Sequence, residues 1–115
     1  MIVRKIEGSP GNTVRVAGVD TAANLADAII YKDGTASDVV TNIAQELLIT
    51  VEDNKIRFAF NGIAPTQTGS KVGHELGVGK SLMLRGFDQI RSFQHINDAN
   101  GVNGVMQVTP FYSGQ

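Results

Sequence analysis

From Gln45 to Tyr112 the chain alternates apolar and polar residues in short runs, and turn-forming pairs separate the runs. Ile56, Phe58 and Phe60 fall on one parity; Lys55, Arg57 and Ala59 fall on the other. Side chains of an extended strand switch faces at every residue, so such a run buries one face and wets the other. Leu47, Ile49 and Val51 form a second inward row, and Leu82 and Leu84 a third. Asp53-Asn54, Asn61-Gly62, Asn100-Gly101 and Asn103-Gly104 supply the turns, and Asn-Gly suits the twist of paired antiparallel strands. The pattern predicts an all-β fold, an antiparallel β-sandwich or a jelly-roll-like barrel.

The predicted strands are Thr13 to Val19, Gln45 to Glu52, Lys55 to Phe60, Ser81 to Arg85, Gln89 to Ile96 and Val105 to Tyr112. Residues 63–79 read as one long Gly-rich loop, and residues 35–44 carry no assignable pattern. One short helix is allowed near residues 21–29, capped by Asp20 or Thr21, with Leu25, Ala28 and Ile29 on its inner stripe. Ile29-Ile30-Tyr31 before Lys32-Asp33-Gly34 equally suits a strand entering a turn. Residues 1–115 read as a single β domain, a length that supports a core without staples. Residues 1–9 are an N-terminal arm or an edge strand, followed by the breaker Gly8-Ser9-Pro10-Gly11.

Composition narrows function mainly by exclusion. Cysteine is absent, which removes disulfides and thiolate metal sites. The formal charge of -1 argues against bulk nucleic-acid binding. No apolar run is long enough to span a membrane, and the N-terminus lacks a signal-peptide pattern, so synthesis in the cytoplasm is expected. Charge is unevenly placed, however: residues 17–54 are acidic and residues 55–91 basic. Such blocks pair strand to strand within one subunit, or they form complementary patches between subunits. The second reading makes Arg57, Arg85 and Arg91 interface candidates, alongside Ile2, Val3 and Ile6 of the arm.

Gly79-Lys80-Ser81 imitates the end of a phosphate-binding loop. The first glycine that such a loop requires falls on His74, and Leu82-Met83-Leu84 continues as a strand where a helix is needed. His74 reads as a loop histidine and His95 as a solvent-facing strand histidine, neither spaced for a metal. Glu52 and Asp53 are adjacent and face apart on a strand, so they form no paired-carboxylate site. No enzyme, catalytic residue, metal or cofactor is expected.

The order of motifs in the C-terminal 60% of the chain resembles a group of small structural proteins of tailed bacteriophages and prophages. The residues concerned are Thr50-Val51-Glu52, Arg57-Phe58-Ala59-Phe60-Asn61-Gly62, Pro65-Thr66, Gly73-His74, Val78-Gly79, Leu82-Met83-Leu84, Ile90-Arg91-Ser92-Phe93-Gln94-His95-Ile96 and Val108-Thr109-Pro110-Phe111-Tyr112. Pro110 departs from the pattern; it lacks an N–H and is expected to mark an edge or end of the last strand. The resemblance implies a virion protein assembled in the host cytoplasm, a capsid decoration or cement protein that clamps capsid subunits. It implies a homo-oligomer, most plausibly a trimer, with the major capsid protein as partner and neither nucleic acid nor membrane. A head–tail or tail component is the neighbouring alternative. A carbohydrate- or surface-binding β-sandwich module is the more distant one, with no Trp and two Tyr to serve it.

Overall fold

The computed structural model describes residues 9–112. In chain order the elements are β1 (Ser9–Pro10), β2 (Val14–Ala17), β3 (Ala23–Asn24), α1 (Asp27–Ile30), a 3-10 turn (Val40–Asn42), β4 (Ala44–Glu52), β5 (Ile56–Ala59), β6 (His74–Leu76), β7 (Ser81–Arg85), α2 (Phe87–Ser92), β8 (Gln94–Asn97) and β9 (Val105–Tyr112). They build two separate antiparallel sheets. One runs β1-β9-β4-β7, with β2 also on β9; the other runs β3-β8-β5-β6. Among the described residues no strand belongs to both, so the fold is sandwich-like. Its shortest dimension of 22 Å suits two stacked layers about 10 Å apart.

The alternation does what the sequence predicts. Leu47 and Ile49 are fully buried and Val51 nearly so, while Leu48 and Thr50 are half-buried and Glu52 is exposed. The inward residues align into rows across the sheet: Leu84–Leu47–Pro110, then Leu82–Ile49–Val108, then Val51–Met106–Val16. Ile56, Phe58 and Leu76 face them from the second sheet and belong to the same core cluster. Burial of each large aliphatic side chain contributes about 1.5–3 kcal/mol.

Four expectations need correction. Gln89 to Ile96 is not one strand. Gly86 (φ 86°) turns the chain, and α2 follows before β8 begins. Ile90 and Phe93 are both fully buried and three residues apart, a helical spacing that the apolar run disguised. The helix near residues 21–29 is a single later turn, Asp27–Ile30, because Ala23–Asn24 is held as a strand: the Asn24 amide donates to the carbonyls of Arg91 and Phe93 at 3.2 and 3.1 Å. Residues 63–79 are not one loop, since His74–Leu76 pairs with β5. Residues 35–44 contain the 3-10 turn and the start of β4, and Tyr31 bridges to Ile43.

Pro110 is the fourth. It lies neither at an edge nor at an end: β9 continues to Tyr112 with β4 on one side and β1 and β2 on the other. Its carbonyl accepts from the Gly11 N–H at 2.8 Å. The N and O of a strand residue point to the same side, so the missing N–H faces the break between β1 and β2 and costs no bond to β4. Of the Asn-Gly pairs, Asn61-Gly62 has both residues at positive φ (59° and 77°), the geometry of a type I′ turn; at Asn100-Gly101 only the glycine does.

One end of the sandwich is tied by a buried asparagine. Asn97, fully buried on β8, donates from its side chain to Asp20 and Asn103 at 3.0 and 2.9 Å and accepts from the Gly104 N–H at 3.0 Å. Asp20 Oδ1 also accepts from Gln67 and from the Gly101 N–H. These three bonds, Asn97 first, hold the Asp20 carboxyl below its usual pKa. Gly18 is required here, because a Cβ on it would collide with Asn97 Oδ1 and lie 2.5 Å from the Gly104 carbonyl oxygen. Gly18→Ala is therefore expected to cost about 2–3 kcal/mol, read as a lower denaturation midpoint at unchanged slope.

Candidate interaction surface

The basic residues singled out in the sequence have different fates. Arg57, on the outer face of the second sheet, is enclosed: its side chain is 13% exposed, and Nε donates to Asp98 Oδ1 at 3.0 Å. It also donates to the Gly73 carbonyl at 2.8 Å and approaches Glu75 at 3.3 Å. Lys71 joins the same carboxylate at 3.2 Å and its backbone oxygen at 2.7 Å, and Lys55 lies 3.5 Å away. Burial alone would raise the Asp98 pKa, but hydrogen bonds from Lys71 and Arg57 and the charges of Lys55 and Lys71 outweigh it, so the carboxyl sits below its usual range. The cluster straps the loop of residues 63–73 over the sheet, where Pro65 is fully buried. Lys71, in the Gly69-Ser70-Lys71 stretch of this loop, supplies one of the clamps.

Arg85 is also engaged, with its guanidinium 2.9 Å from the buried carboxylate of Glu46. This pair joins the acidic block to the basic block within one chain. Arg91 is different. It is exposed and lies over the Phe87 ring at 5.7 Å, with no ion pair among the described residues. Ile2, Val3 and Ile6 lie outside the described residues.

His95 is not solvent-facing. It is 3% exposed, in register with Phe58 on one side and Ala23 on the other. Its ring stacks with Phe93 at 6.1 Å, and its Nδ1 has no hydrogen-bond partner among the described residues. Burial pushes its pKa down to about 4. His74 is a strand residue, exposed, on the far side of Phe58 in the same cross-strand row, its ring 5.4 Å from that of Phe58. No group of three or more potential metal ligands exists among the described residues. Gly79-Lys80-Ser81 forms a turn into β7, as expected of a structural Gly-rich turn.

The strand directions place α1, residues 31–43, the Asn61-Gly62 turn, α2 and the β1–β9 pairing at the same end of the sandwich. Three features meet there. A cleft of about 450 Å³ is lined by Asn24, Asn61, Gly62, Asp88, Arg91, Ser92 and Gln94. A second depression, about 390 Å³, lies between the β1–β2 segment and α1 and includes Val14, Ile29, Lys32 and Tyr112. Val39 and Val40 are 59% and 63% exposed. The Tyr112 hydroxyl donates to the Ile29 carbonyl at 2.8 Å, fixing α1 against the end of β9. Sequence reasoning missed Asn24, Asn61, Asp88 and Gln94 as surface groups. Asp88 and Arg91 share a face only in a helix, and the helix itself had been taken for a strand.

The chain matches no known family model, no curated protein and no solved structure at a significant level.

Two stability predictions follow from the buried ionisable groups. The His95 pKa is depressed in the folded state, so its contribution is complete above the unfolded value of 6.5 and declines as pH falls towards about 4. The loss amounts to roughly 3 kcal/mol, measurable as unfolding free energy against pH, and His95→Phe is expected to flatten the curve over that window. Asp98→Ala strands the enclosed guanidinium of Arg57 and is expected to cost about 3 kcal/mol, seen in chemical denaturation.

Proposed function

We propose that this chain is a virion structural protein, a capsid decoration or cement protein that acts by contact. The observation that carries the reading is the end of the sandwich just described. It gathers exposed Val39 and Val40, an Arg91 without an ion pair among the described residues, and the strand β1. A rigid sandwich with its recognition elements gathered at one end suits a protein that sits on a junction between larger subunits. The order of motifs shared with small phage structural proteins points the same way.

In this reading the mechanism is mechanical. The apolar residues at the contact end bury against capsid subunits, and the segment before β1 adds an extended strand to a neighbour. Each contact is modest, and repetition over the shell multiplies it through avidity. A closed ring of three copies presents three such ends at once. A head–tail or tail position uses the same surfaces with a different symmetry.

Electron microscopy of phage particles purified from the source of this chain tests the proposal. The sandwich is expected as repeated density on the head surface, with the end bearing α2 towards the shell. Light scattering is expected to give three times the 12.2 kDa mass of the chain. Removal of residues 1–8 is expected to leave the sandwich folded and to weaken attachment to particles. Particles that lack the chain, together with a monomer in solution, overturn the reading.

A further inference from the structure

The cleft beside α2 differs from every other polar cluster described above. Around Asp98 and around Asn97, donors and acceptors meet each other within the chain. In the cleft they do not. The side chains of Asn61, Asp88 and Gln94 form no hydrogen bond or ion pair among the described residues, and neither does the Arg91 guanidinium, which lies over the Phe87 ring at 5.7 Å. Asn24 spends its amide N–H groups on the Arg91 and Phe93 carbonyls, which fixes one wall of the cleft to the end of α2. The opposite wall is the Asn61-Gly62 turn, whose hydrogen bond from the Ile63 N–H to the Phe60 carbonyl (3.2 Å) holds it closed. The cleft is thus walled by tied backbone and lined by the free side chains of Asn61, Asp88 and Gln94, while the Ser92 hydroxyl donates a long bond to the Gln89 carbonyl (3.5 Å) and keeps its lone pairs.

We propose that this cleft binds a neutral saccharide. Its one carboxylate and one guanidinium leave no net charge, which disfavours both an anion and a cation as ligand. Its side chains offer donors and acceptors together: two amides from Asn61 and Gln94, a carboxylate from Asp88, a fork of N–H groups from Arg91 and the hydroxyl of Ser92. Adjacent hydroxyls of a pyranose both donate and accept, and planar amide, carboxylate and guanidinium groups meet them in pairs. A bound peptide would seek an apolar anchor pocket or an open strand edge; the lining of this cleft holds no apolar side chain. The volume, about 450 Å³, accommodates one or two sugar rings. A smaller depression, about 260 Å³, shares Asn61, Asp88 and Ser92 and adds Phe60, an aromatic side chain for the apolar side of a second ring. The site does not depend on the particle reading; on a virion it would direct the shell to polysaccharide, and on any other assembly it would do the same.

Amide NMR of the full-length protein, titrated with glucose, galactose, mannose, N-acetylglucosamine, maltose, lactose and chitobiose to millimolar concentration, tests the proposal. At least one of these is expected to shift the signals of Asn61, Gly62, Asp88 and Gln94 saturably. Asp88→Asn and Gln94→Ala are each expected to weaken that sugar about tenfold or more with little change in melting temperature, and Lys80→Ala, at the far end of the sandwich, is expected to leave it unchanged. No saturable shift with any sugar overturns the proposal. So does a response to inorganic phosphate centred on Arg91, which marks an anion site, or a response only to an unstructured peptide. Particle attachment is scored separately, so failure of one reading leaves the other standing.

Discussion

The pairing of β4 with β9 is the constraint on which the remaining structure depends. These two longest strands run antiparallel through the middle of the first sheet, from Ala44 opposite Tyr112 to Glu52 opposite Val105. Every other strand of that sheet attaches to one of them. Their inward residues, Leu47, Ile49, Val51, Met106 and Val108, supply the floor against which Ile56, Phe58 and Phe93 pack. A slip of β9 by one residue against β4 would turn Met106 and Val108 to solvent and bring Gln107 inward. At the start of β4 the register shifts by one residue between Ala44 and Glu46, a β-bulge that lets the strand bend as it enters the sheet.

Legibility in the sequence followed this same division. The period of two was plain wherever a strand has one buried and one wet face, as in β4, β5, β7 and β9. It failed at Gln89 to Ile96, where helix and strand both bury apolar residues, and the decisive signal was Gly86, a residue able to take the φ that ends β7. It failed again at β3 and β6, strands of two and three residues with no period to detect. Pro110 misled because its cost depends on which side the absent N–H faces, a matter of pairing and not of local sequence. The uneven charge blocks were visible, and so was their pairing within one chain as one outcome, which Arg85 with Glu46 realises. That Arg57 and Arg85 are paired while Arg91 has no ion pair among the described residues was not visible, because it depends on Asp98, just after β8, and Glu46 on β4 arriving from distant parts of the chain.

The two ends of the sandwich divide the work. At the end bearing Asn97 and Asp20, polar groups satisfy one another and a buried amide ties β8 to the turn that precedes β9. Such a fully connected network favours one arrangement of the loops over its competitors. At the end bearing α1 and α2, backbone is fixed by the Asn24 amide and the Tyr112 hydroxyl, while the side chains of Asn61, Asp88 and Gln94 form no hydrogen bond or ion pair among the described residues. Rigid backbone with uncommitted side chains is the condition for recognition without a large ordering cost.

The position of β9 in the chain also governs how a nascent molecule matures. β4 emerges from the ribosome well before its principal partner, and β7 covers only one of its edges in the meantime. At about 5–20 residues per second, the synthesis of the stretch between Glu52 and Val105 leaves the other edge of β4 open for roughly three to ten seconds. During that interval the edge of β4 that β9 will cover shows its unpaired N–H and C=O groups to any other nascent strand, so prompt synthesis of the C-terminal third shortens the chain's exposure to mispairing.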